Sequence, residues 1–206
     1  MQLIGMLDSP YVRRVAITLH LLNIAFEHRS ISVFSTFEQF KQLNPVVKAP
    51  TLVCDDGTVL MDSNLILDYV EAAAGRSLWP ADLQDLRHAL RVVGLALAAC
   101  EKSVQIVYEH KLRPADKLHA PWLERVQQQL VTAYAELEAE LVRVPLACTA
   151  AGMTQAGVTA AVAWQFSQML LPPLVGDLIS EAAHPVLTAF SAQAETLPAF
   201  QTAPPL

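Results

Sequence analysis

The amino-acid sequence predicts an α/β domain followed by an all-helical domain. Up to residue 76, short apolar runs alternate with segments whose apolar residues recur at helical spacing. Beyond residue 82, long apolar stripes with steps of three and four residues predict helices alone. With 206 residues and 53% hydrophobic content, the chain has enough apolar side chains for two modest cores. We therefore expect domains at residues 1–76 and 82–206.

A strand, a turn and a helix are predicted at the start of the chain. The apolar run 3–7 predicts the strand, and Ser9 and Pro10 then precede a helical pattern. Serine is a favoured N-cap and proline a favoured first helical residue, so Ser9 is expected at the positive end of the helix dipole. A ligand thiolate would be stabilised there by the hydroxyl and the helix amides. The simpler alternative is that Ser9 only caps its helix.

A bend leads into the third predicted strand. Asn44, which a proline follows, indicates a turn, and Lys48, Ala49 and Pro50 then lead into the strand composition of residues 51–53. If the bond before Pro50 is cis, the amide and carbonyl of Ala49 face outward and can pair with an extended peptide as another strand would. The sequence leaves the isomer open. Lys48 faces either the solvent or a ligand carboxylate.

Another helix start follows a predicted hairpin. The turn residues 55–57 and the short strand 59–61 lead to Asp62 and Ser63, and helical spacing resumes at Leu65. A serine hydroxyl and free amides at such a helix end bind a carboxylate, and a neighbouring aspartate accepts an ammonium group. An α-amino acid head group would satisfy both, and an ordinary helix cap is the alternative.

The helical part begins after a glycine stop signal at Gly75. Two long helices, each with one packed face, are predicted from apolar residues that recur every three or four positions. The first set is Leu83, Leu86, Leu90, Val93, Leu97, Cys100, Val104 and Val107, and the second is Trp122, Val126, Leu130, Ala133, Leu137 and Leu141. A helical bundle is favoured over a coiled coil because no sustained charge pattern flanks the first stripe.

A buried central helix is the next predicted element of the bundle. Residues 156–174 are apolar on nearly all sides, but polar side chains and two prolines interrupt them, which argues against a membrane span. Thr154 is a good N-cap, whereas Gly157 stands where an acidic side chain would complete a capping box, so we expect a weakened helix start. After a final helix, the tail 198–206 is expected to be irregular, with Phe200 as an anchor.

Composition disfavours several classes of function. A net charge of −6 without clustered Lys and Arg disfavours nucleic-acid binding. Cys54, Cys100 and Cys148 lie far apart, so zinc and dithiol spacings are missing, and such isolated cysteines are typical of a reducing compartment. We therefore expect no metal, no nucleic-acid partner and no membrane association. The start of the chain also lacks a secretory signal pattern, which predicts a cytoplasmic location.

The polar motifs of the N-terminal part carry a family resemblance. They are Ser9-Pro10-Tyr11, Lys48-Ala49-Pro50-Thr51 and Asp62-Ser63, and each lies directly before or after a predicted strand. In this order they resemble the cytosolic glutathione S-transferase family, in its serine-type classes. The resemblance implies a thioredoxin-like N-terminal domain, with a cis-proline before the third strand, and an all-helical C-terminal domain.

The same resemblance implies a role for each motif. Ser9 would be the catalytic residue that hydrogen-bonds the glutathione thiolate, and the backbone of Ala49, before Pro50, would pair with the cysteinyl unit. Lys48 would reach the glycyl carboxylate. Asp62 and Ser63 would hold the γ-glutamyl end. Asp62 stands where many relatives have glutamate, which shortens the reach to the amine, whereas alanine at position 49 matters little because its backbone is used.

The implied activity is glutathione S-transferase chemistry of the kind used in detoxification. Glutathione would be the co-substrate, and its thiolate would attack a hydrophobic electrophile whose identity the sequence leaves open. One alternative is a glutathione-dependent thiol reductase or peroxidase, which is disfavoured because such relatives typically carry cysteine at the position of Ser9. The other is a transferase-fold protein that serves only in binding or interaction.

An apolar slot for the electrophile is expected in the cleft between the two domains. The candidates for its wall are Tyr11, Val104, Tyr108 and Trp164, and ordinary core packing is the alternative for each of them. The resemblance also implies a homodimer, which would cover an exposed face of the small N-terminal domain.

Overall fold

The structure is a computed structural model that describes residues 1–205. It divides into two compact units. The first contains Met1–Leu78 together with the tail that begins at Thr196, and the second is Trp79–Glu195.

The first unit is built on a mixed sheet of four strands. These are β1 (Gln2–Ile4), β2 (Glu27–Arg29), β3 (Thr51–Val53) and β4 (Val59–Met61), in the order β2-β1-β3-β4. β1 pairs with β2 in parallel, whereas β3 is antiparallel to both β1 and β4. Three helices accompany the sheet, namely α1 (Pro10–Leu21), α2 (Phe37–Leu43) and α3 (Ser63–Ala74). This is the predicted thioredoxin-like arrangement.

The strand register brings three chain segments to one end of the sheet. Ile4, the last residue of β1, lies opposite Thr51, the first residue of β3. Thr51 in turn lies opposite Met61, the last residue of β4. Because neighbouring strands are only about 4.8 Å apart, the segments that follow β1, precede β3 and follow β4 become neighbours.

The core of the first unit lies on both sides of this sheet. Val12, Val15 and Ile17 of α1 are fully buried. A second cluster consists of Ile4, Phe40 of α2 and the loop residue Ile31. Burying each such side chain stabilises the fold by about 1.5–3 kcal/mol, so both helices are held firmly against the strands.

The second unit is entirely helical. Its helices are α4 (Leu83–Leu112), α5 (Ala120–Arg143), α6 (Gln155–Leu170), α7 (Pro172–Val175) and α8 (Pro185–Ala194), with short 3₁₀ turns at Ala115–Lys117 and Glu181–Ala183. α4 packs along α5 and α6, and α6 packs against α8. Most side chains of α6 are buried, which confirms the predicted central helix. Among residues 1–205, no helix combines the length and apolar character needed to cross a bilayer.

The packed face of α4 differs from the predicted stripe. Leu83 and Leu90 are 77% and 53% exposed, so they do not belong to the core of this chain. The buried face instead runs through small residues such as Ala89, Ala96 and Ala99. Small side chains allow the axes of packed helices to approach closely. The prediction is confirmed for Val93, Cys100 and Val107, which are buried, and was wrong for the exposed leucines because it followed the size of the side chains.

The tail also departs from its prediction. It forms a short helix, α9 (Pro198–Gln201), and belongs to the first unit, whereas the sequence analysis assigned it to the helical domain. Phe200 is fully buried, as its predicted anchoring role requires. The buried Arg13 of α1 donates from Nε to the carbonyl of Ala203 (2.8 Å), and its guanidinium lies 5.8 Å from the Phe200 ring centroid. These contacts tie the tail to α1.

Gly157 has a packing role that the capping prediction missed. Thr154 caps α6 as expected, because its Oγ1 accepts a hydrogen bond from the Gly157 amide (3.4 Å). A Cβ atom at position 157 would lie 2.6 Å from Met153 Sδ and 3.2 Å from Phe190 Cζ. An acidic residue at position 157 would therefore collide with its neighbours. The close packing of α8 against α6 excludes the side chain that would complete the capping box.

A charged cluster joins α4 to α5 around the buried carboxylate of Glu140. Arg143 donates to this carboxylate from the next turn of α5. His88 Nδ1 lies 2.9 Å from its Oε1, and Arg91 Nε donates to its Oε2 at 3.2 Å. Hydrogen bonds from Arg143, above all, and from His88 and Arg91 lower the pKa of Glu140 from about 4.5 to about 2, although burial opposes them.

This cluster predicts an acid-sensitive contribution to stability. A lowered carboxyl pKa stabilises the fold above the unfolded value, and this stabilisation is lost as the pH falls from about 4.5 towards 2. We expect Glu140→Gln to reduce the free energy of unfolding by about 2 kcal/mol at pH 7, with a smaller difference from wild type at pH 3. Urea denaturation at both pH values measures this.

The matched control is Glu136→Gln, which removes the carboxylate that Arg91 Nη2 contacts at 2.7 Å on the exposed side of the cluster. A half-exposed ion pair contributes only about 0.2–1 kcal/mol, so this variant should remain close to wild type. An equal loss in the two variants, or a loss in Glu140→Gln that stays constant down to pH 3, would contradict the assignment.

Candidate functional site

The candidate site is formed by three segments at one end of the first unit's sheet. They are the loop from the end of β1 to α1, the bend before β3 and the junction of β4 with α3. Each carries one of the polar motifs identified in the sequence. Long-range pairing therefore brings together groups that are up to 54 positions apart, as Ser9 and Ser63 are.

Ser9 is the N-cap of α1, as predicted. Its backbone is extended (φ −73°, ψ 124°), and its Oγ accepts a hydrogen bond from the Val12 amide at 3.4 Å. Pro10 is the first residue of the helix, and the first turn contains no acidic side chain. Since Oγ acts as an acceptor in this bond, the hydroxyl proton stays available for donation to an anionic atom at the positive end of the helix.

Gly5 allows the loop before β3 to approach α1. Its φ of +140° is one that side-chain-bearing residues rarely adopt. A Cβ atom at this position would lie 2.6 Å from Val12 Cγ2 and 3.3 Å from Ala49 Cβ. Only glycine fits between the two segments. Sequence reasoning missed Gly5, although a glycine directly after a buried strand is a usual signal of close backbone approach.

The bend before β3 is held by a short hydrogen-bond chain. The buried Asn44 donates from Nδ2 to Thr51 Oγ1 (2.8 Å), and this hydroxyl donates to the carbonyl of Lys48 (2.7 Å). Val47 has a φ of +53°, which is unusual for a β-branched residue, so the surrounding contacts hold the loop in a strained form.

The bond between Ala49 and Pro50 is cis, which answers the question left open by the sequence. No hydrogen bond to another residue within 1–205 engages the backbone amide or carbonyl of Ala49. Both groups can therefore pair with an extended peptide.

Asp62, the N-cap of α3, has a strained backbone conformation. Its φ of +73° lies in the region that favours glycine, and its side chain accepts a hydrogen bond from the Asn64 amide at 2.9 Å. The other carboxylate oxygen lies 3.7 Å from Lys48 Nζ, and both side chains are about half exposed. Two of the predicted ligand contacts are thus adjacent. The predicted contact of Lys48 with a glycyl carboxylate requires its side chain to leave Asp62.

Ser63, the first residue of α3, is buried, and its hydroxyl accepts a hydrogen bond from α1. Arg14 of α1, which is only 1% exposed, donates from Nη1 to Ser63 Oγ (3.2 Å) and to Asn64 Oδ1 (2.7 Å). Sequence reasoning missed Arg14. The available signal was its spacing of three positions from Tyr11 and from Ile17, which places it on the same face of the helix as these two side chains.

Comparison with known proteins identifies the domain that carries the candidate site. Residues 3–77 match the glutathione S-transferase N-terminal domain family, and this stretch contains all three motif-bearing segments. Residues 3–77 thus form a glutathione S-transferase N-terminal domain. The chain's four-stranded sheet and helical second unit are the elements of the glutathione transferase fold.

The proteins similar to this chain include a GST-like protein described as uncharacterized and glutathione S-transferases. The chain is 28% identical over 143 residues to the uncharacterized GST-like protein YibF of Escherichia coli. The aligned region covers 69% of this chain and 70% of YibF. A glutathione S-transferase from Methylobacterium radiotolerans, solved with glutathione sulfonate, has a TM-score of 0.86 at 25% identity, over 98% of this chain and 93% of the other.

A glutathione transferase family member from Pseudomonas fluorescens Pf-5, solved with bound glutathione, is also similar. Its TM-score is 0.79 at 28% identity, and the match covers 100% of this chain and 98% of the other.

The predicted electrophile-binding residues are divided between the two units of the chain. Tyr11 is half-buried in the first turn of α1. Val104 is half-buried on α4, and Tyr108, one turn later, is 43% exposed. Trp164 is 2% exposed, and its ring packs against those of Tyr134 (5.2 Å) and His184 (5.3 Å), which is a core packing role. The electrophile pocket itself stays a prediction.

The N-cap of α3 gives a prediction that separates charge from capping. Asp62→Asn keeps an acceptor for the Asn64 amide and tolerates a positive φ, whereas Asp62→Ala does neither. We expect Asp62→Asn to remain within about 0.5 kcal/mol of wild type in free energy of unfolding, because exposed ion pairs contribute little. Asp62→Ala should lose about 1–2 kcal/mol.

Urea denaturation at neutral pH measures these differences, and Lys48→Gln is the control because it removes only the other half of the ion pair. If Asp62→Asn and Lys48→Gln were as destabilised as Asp62→Ala, the ion pair and not the cap would stabilise this junction.

Proposed function

We propose that this protein binds glutathione at the end of its N-terminal sheet and transfers the glutathionyl group to a hydrophobic electrophile. One observation carries the proposal. A serine hydroxyl at the start of α1, an unpaired backbone edge at Ala49 and the start of α3 at Ser63 lie at the same end of one sheet. The glutathione bound to the similar Pseudomonas fluorescens protein supports this choice of ligand.

The three segments suit the three parts of the tripeptide. The amide and carbonyl of Ala49 would pair with the extended cysteinyl unit beside the cis Pro50. The Ser63 hydroxyl and the positive end of α3 would bind the γ-glutamyl carboxylate, while Asp62 would accept its ammonium group. Lys48 would then leave its ion pair with Asp62 and bind the glycyl carboxylate. The free-energy cost is small because the ion pair with Asp62 is exposed.

Thiol activation follows from the position of Ser9. Its hydroxyl would donate to the glutathione sulfur, and the helix dipole of α1 would favour the negative charge there. Both effects lower the thiol pKa, so more thiolate exists at neutral pH. The thiolate attacks an electrophilic carbon, the sulfur–carbon bond forms, and the leaving group departs with the electron pair.

The same position argues against mixed-disulfide chemistry. A reductase that forms a mixed disulfide between glutathione and its own side chain needs a cysteine at this position, and residue 9 is a serine. Cys54, Cys100 and Cys148 carry free thiols, and the first two are buried. Free cysteines suit a reducing environment, so we place the activity in the cytoplasm.

Replacement of Ser9 tests thiol activation directly. Ser9→Ala should still bind glutathione in calorimetric titration, while the conjugation of chlorodinitrobenzene at neutral pH falls about 100-fold. The pH at which the rate rises should move up by about 1–2 units, because a hydrogen bond to a charged atom contributes about 1.5–3 kcal/mol.

The control is Thr154→Ala, which removes a helix-cap hydroxyl of the same geometry from α6 in the other unit. It should lose comparable stability and keep the pH profile of wild type. The absence of glutathione binding in wild type would refute the proposal and favour the non-catalytic alternative. Unchanged turnover in Ser9→Ala would refute the role of the hydroxyl.

We further propose that the protein works as a homodimer. On one side of α4, Leu83 and Leu90 are exposed and Leu86 and Leu97 are half-buried, which forms an apolar leucine face. Apolar faces of this kind mark contact surfaces. We expect sedimentation at twice the chain mass of 22.5 kDa.

The leucine face also supplies a test of its own role. Leu90→Glu should shift the species towards the monomer, whereas Val142→Glu, at an equally exposed apolar position on α5, should not. A monomeric wild type would contradict the proposal.

A further inference from the structure

A buried arginine, Arg14 of α1, contacts the first two residues of α3. Arg14 follows Ser9 by five positions in the sequence and is almost fully buried, with 1% of its surface exposed. Its Nη1 donates to Ser63 Oγ at 3.2 Å and to Asn64 Oδ1 at 2.7 Å, so one nitrogen engages the first two residues of α3. Taking a guanidinium out of water is costly, and structural ties between helices do not require a charge.

The donor-only chemistry of arginine fixes the orientation of the Ser63 hydroxyl. A guanidinium has no acceptor, so Ser63 Oγ must accept in this bond. The hydroxyl hydrogen therefore lies away from Arg14, where it can be donated to another group. A hydroxyl prepared in this way selects an acceptor such as a carboxylate over a donor such as an ammonium group.

The charge of Arg14 acts in the same direction. It lies 3.2 Å from the hydroxyl that would touch the ligand, in a buried position where water screens it little. Its field adds to that of the positive end of α3. Orientation and charge together favour one negative group above Ser63.

We propose that Arg14 is a positioning residue for the γ-glutamyl carboxylate of glutathione and that it acts through Ser63. The assignment rests on the proposed glutathione site and adds to it the residue that sets the carboxylate preference. Asp62, on the exposed side of the same helix start, would then face the neighbouring ammonium group of the head group.

Arg13 provides a matched control within the same helix. It is as deeply buried as Arg14, but it binds the tail through the Ala203 carbonyl and the Phe200 ring. Loss of Arg13 should therefore cost stability without touching the carboxylate preference. Loss of Arg14 should change both.

The test compares two peptides that differ only in this carboxylate. Glutathione and γ-aminobutyryl-cysteinyl-glycine, which lacks the carboxylate, are titrated calorimetrically into wild type, Arg14→Gln, Arg14→Lys and Arg13→Gln. We expect Arg14→Gln to weaken glutathione binding about tenfold, which corresponds to about 1.4 kcal/mol, and to leave the decarboxylated peptide nearly unaffected. Arg14→Lys keeps the charge and should lie between wild type and Arg14→Gln.

A double-mutant cycle shows whether the effect passes through Ser63. In a Ser63→Ala background, Arg14→Gln should weaken glutathione binding by less than about twofold further, because the hydroxyl that it orients is already missing. A full tenfold loss in this background would overturn the assignment. So would an equal loss for the two peptides in Arg14→Gln, since this would indicate a purely structural role.

Two further outcomes remain distinguishable. If wild type bound neither peptide, the proposed function itself would fail. If Arg14→Gln did not fold, Arg14→Lys would decide, because the preference for glutathione should still fall by about threefold. An unchanged preference in Arg14→Lys would then overturn the role of Arg14.

Discussion

The pairing of β3 with both β1 and β4 is the constraint on which the site depends. Ile4, Thr51 and Met61 are in register, so the loop to α1, the bend before β3 and the start of α3 meet at one end of the sheet. A slip of one residue would turn the buried faces of these strands towards solvent, and this cost fixes the register. Gly5 then permits the last approach, because any side chain there would push Ala49 away from α1.

The site relies on neutral donors and helix ends more than on exposed charge. Ser9 and Ser63 each stand at the start of a helix, where hydroxyls and the helix dipole favour negative groups. Strained backbone is found at Val47, in the bend before β3, and at Asp62, the N-cap of α3. Strain of this kind persists only where surrounding contacts over-determine the conformation, and here it supports a site formed before the ligand arrives. Arg14 places a deeply buried guanidinium next to Ser63.

The helical unit is stabilised by close approach between helices. Alanines on α4 and Gly157 on α6 allow neighbouring helices to come near, and the larger leucines of α4 are left on another side. Glu140 adds a polar tie between α4 and α5 that depends on its ionised form. The leucine face of α4 is thus free to serve an interaction outside this chain.

The sequence by itself determined the elements and their ends. Ser9 and Thr154 cap helices and Gly75 ends one, because these signals act between residues three or four positions apart. The motif order also predicted the thioredoxin-like domain and its similarity to glutathione transferases, and the apolar stripes predicted the helical bundle. Only the tertiary structure decided which face of α4 is buried, where the tail packs and what Arg14 holds. Those outcomes depend on partners tens to hundreds of positions away, and a local pattern carries no information about which distant surface a side chain meets.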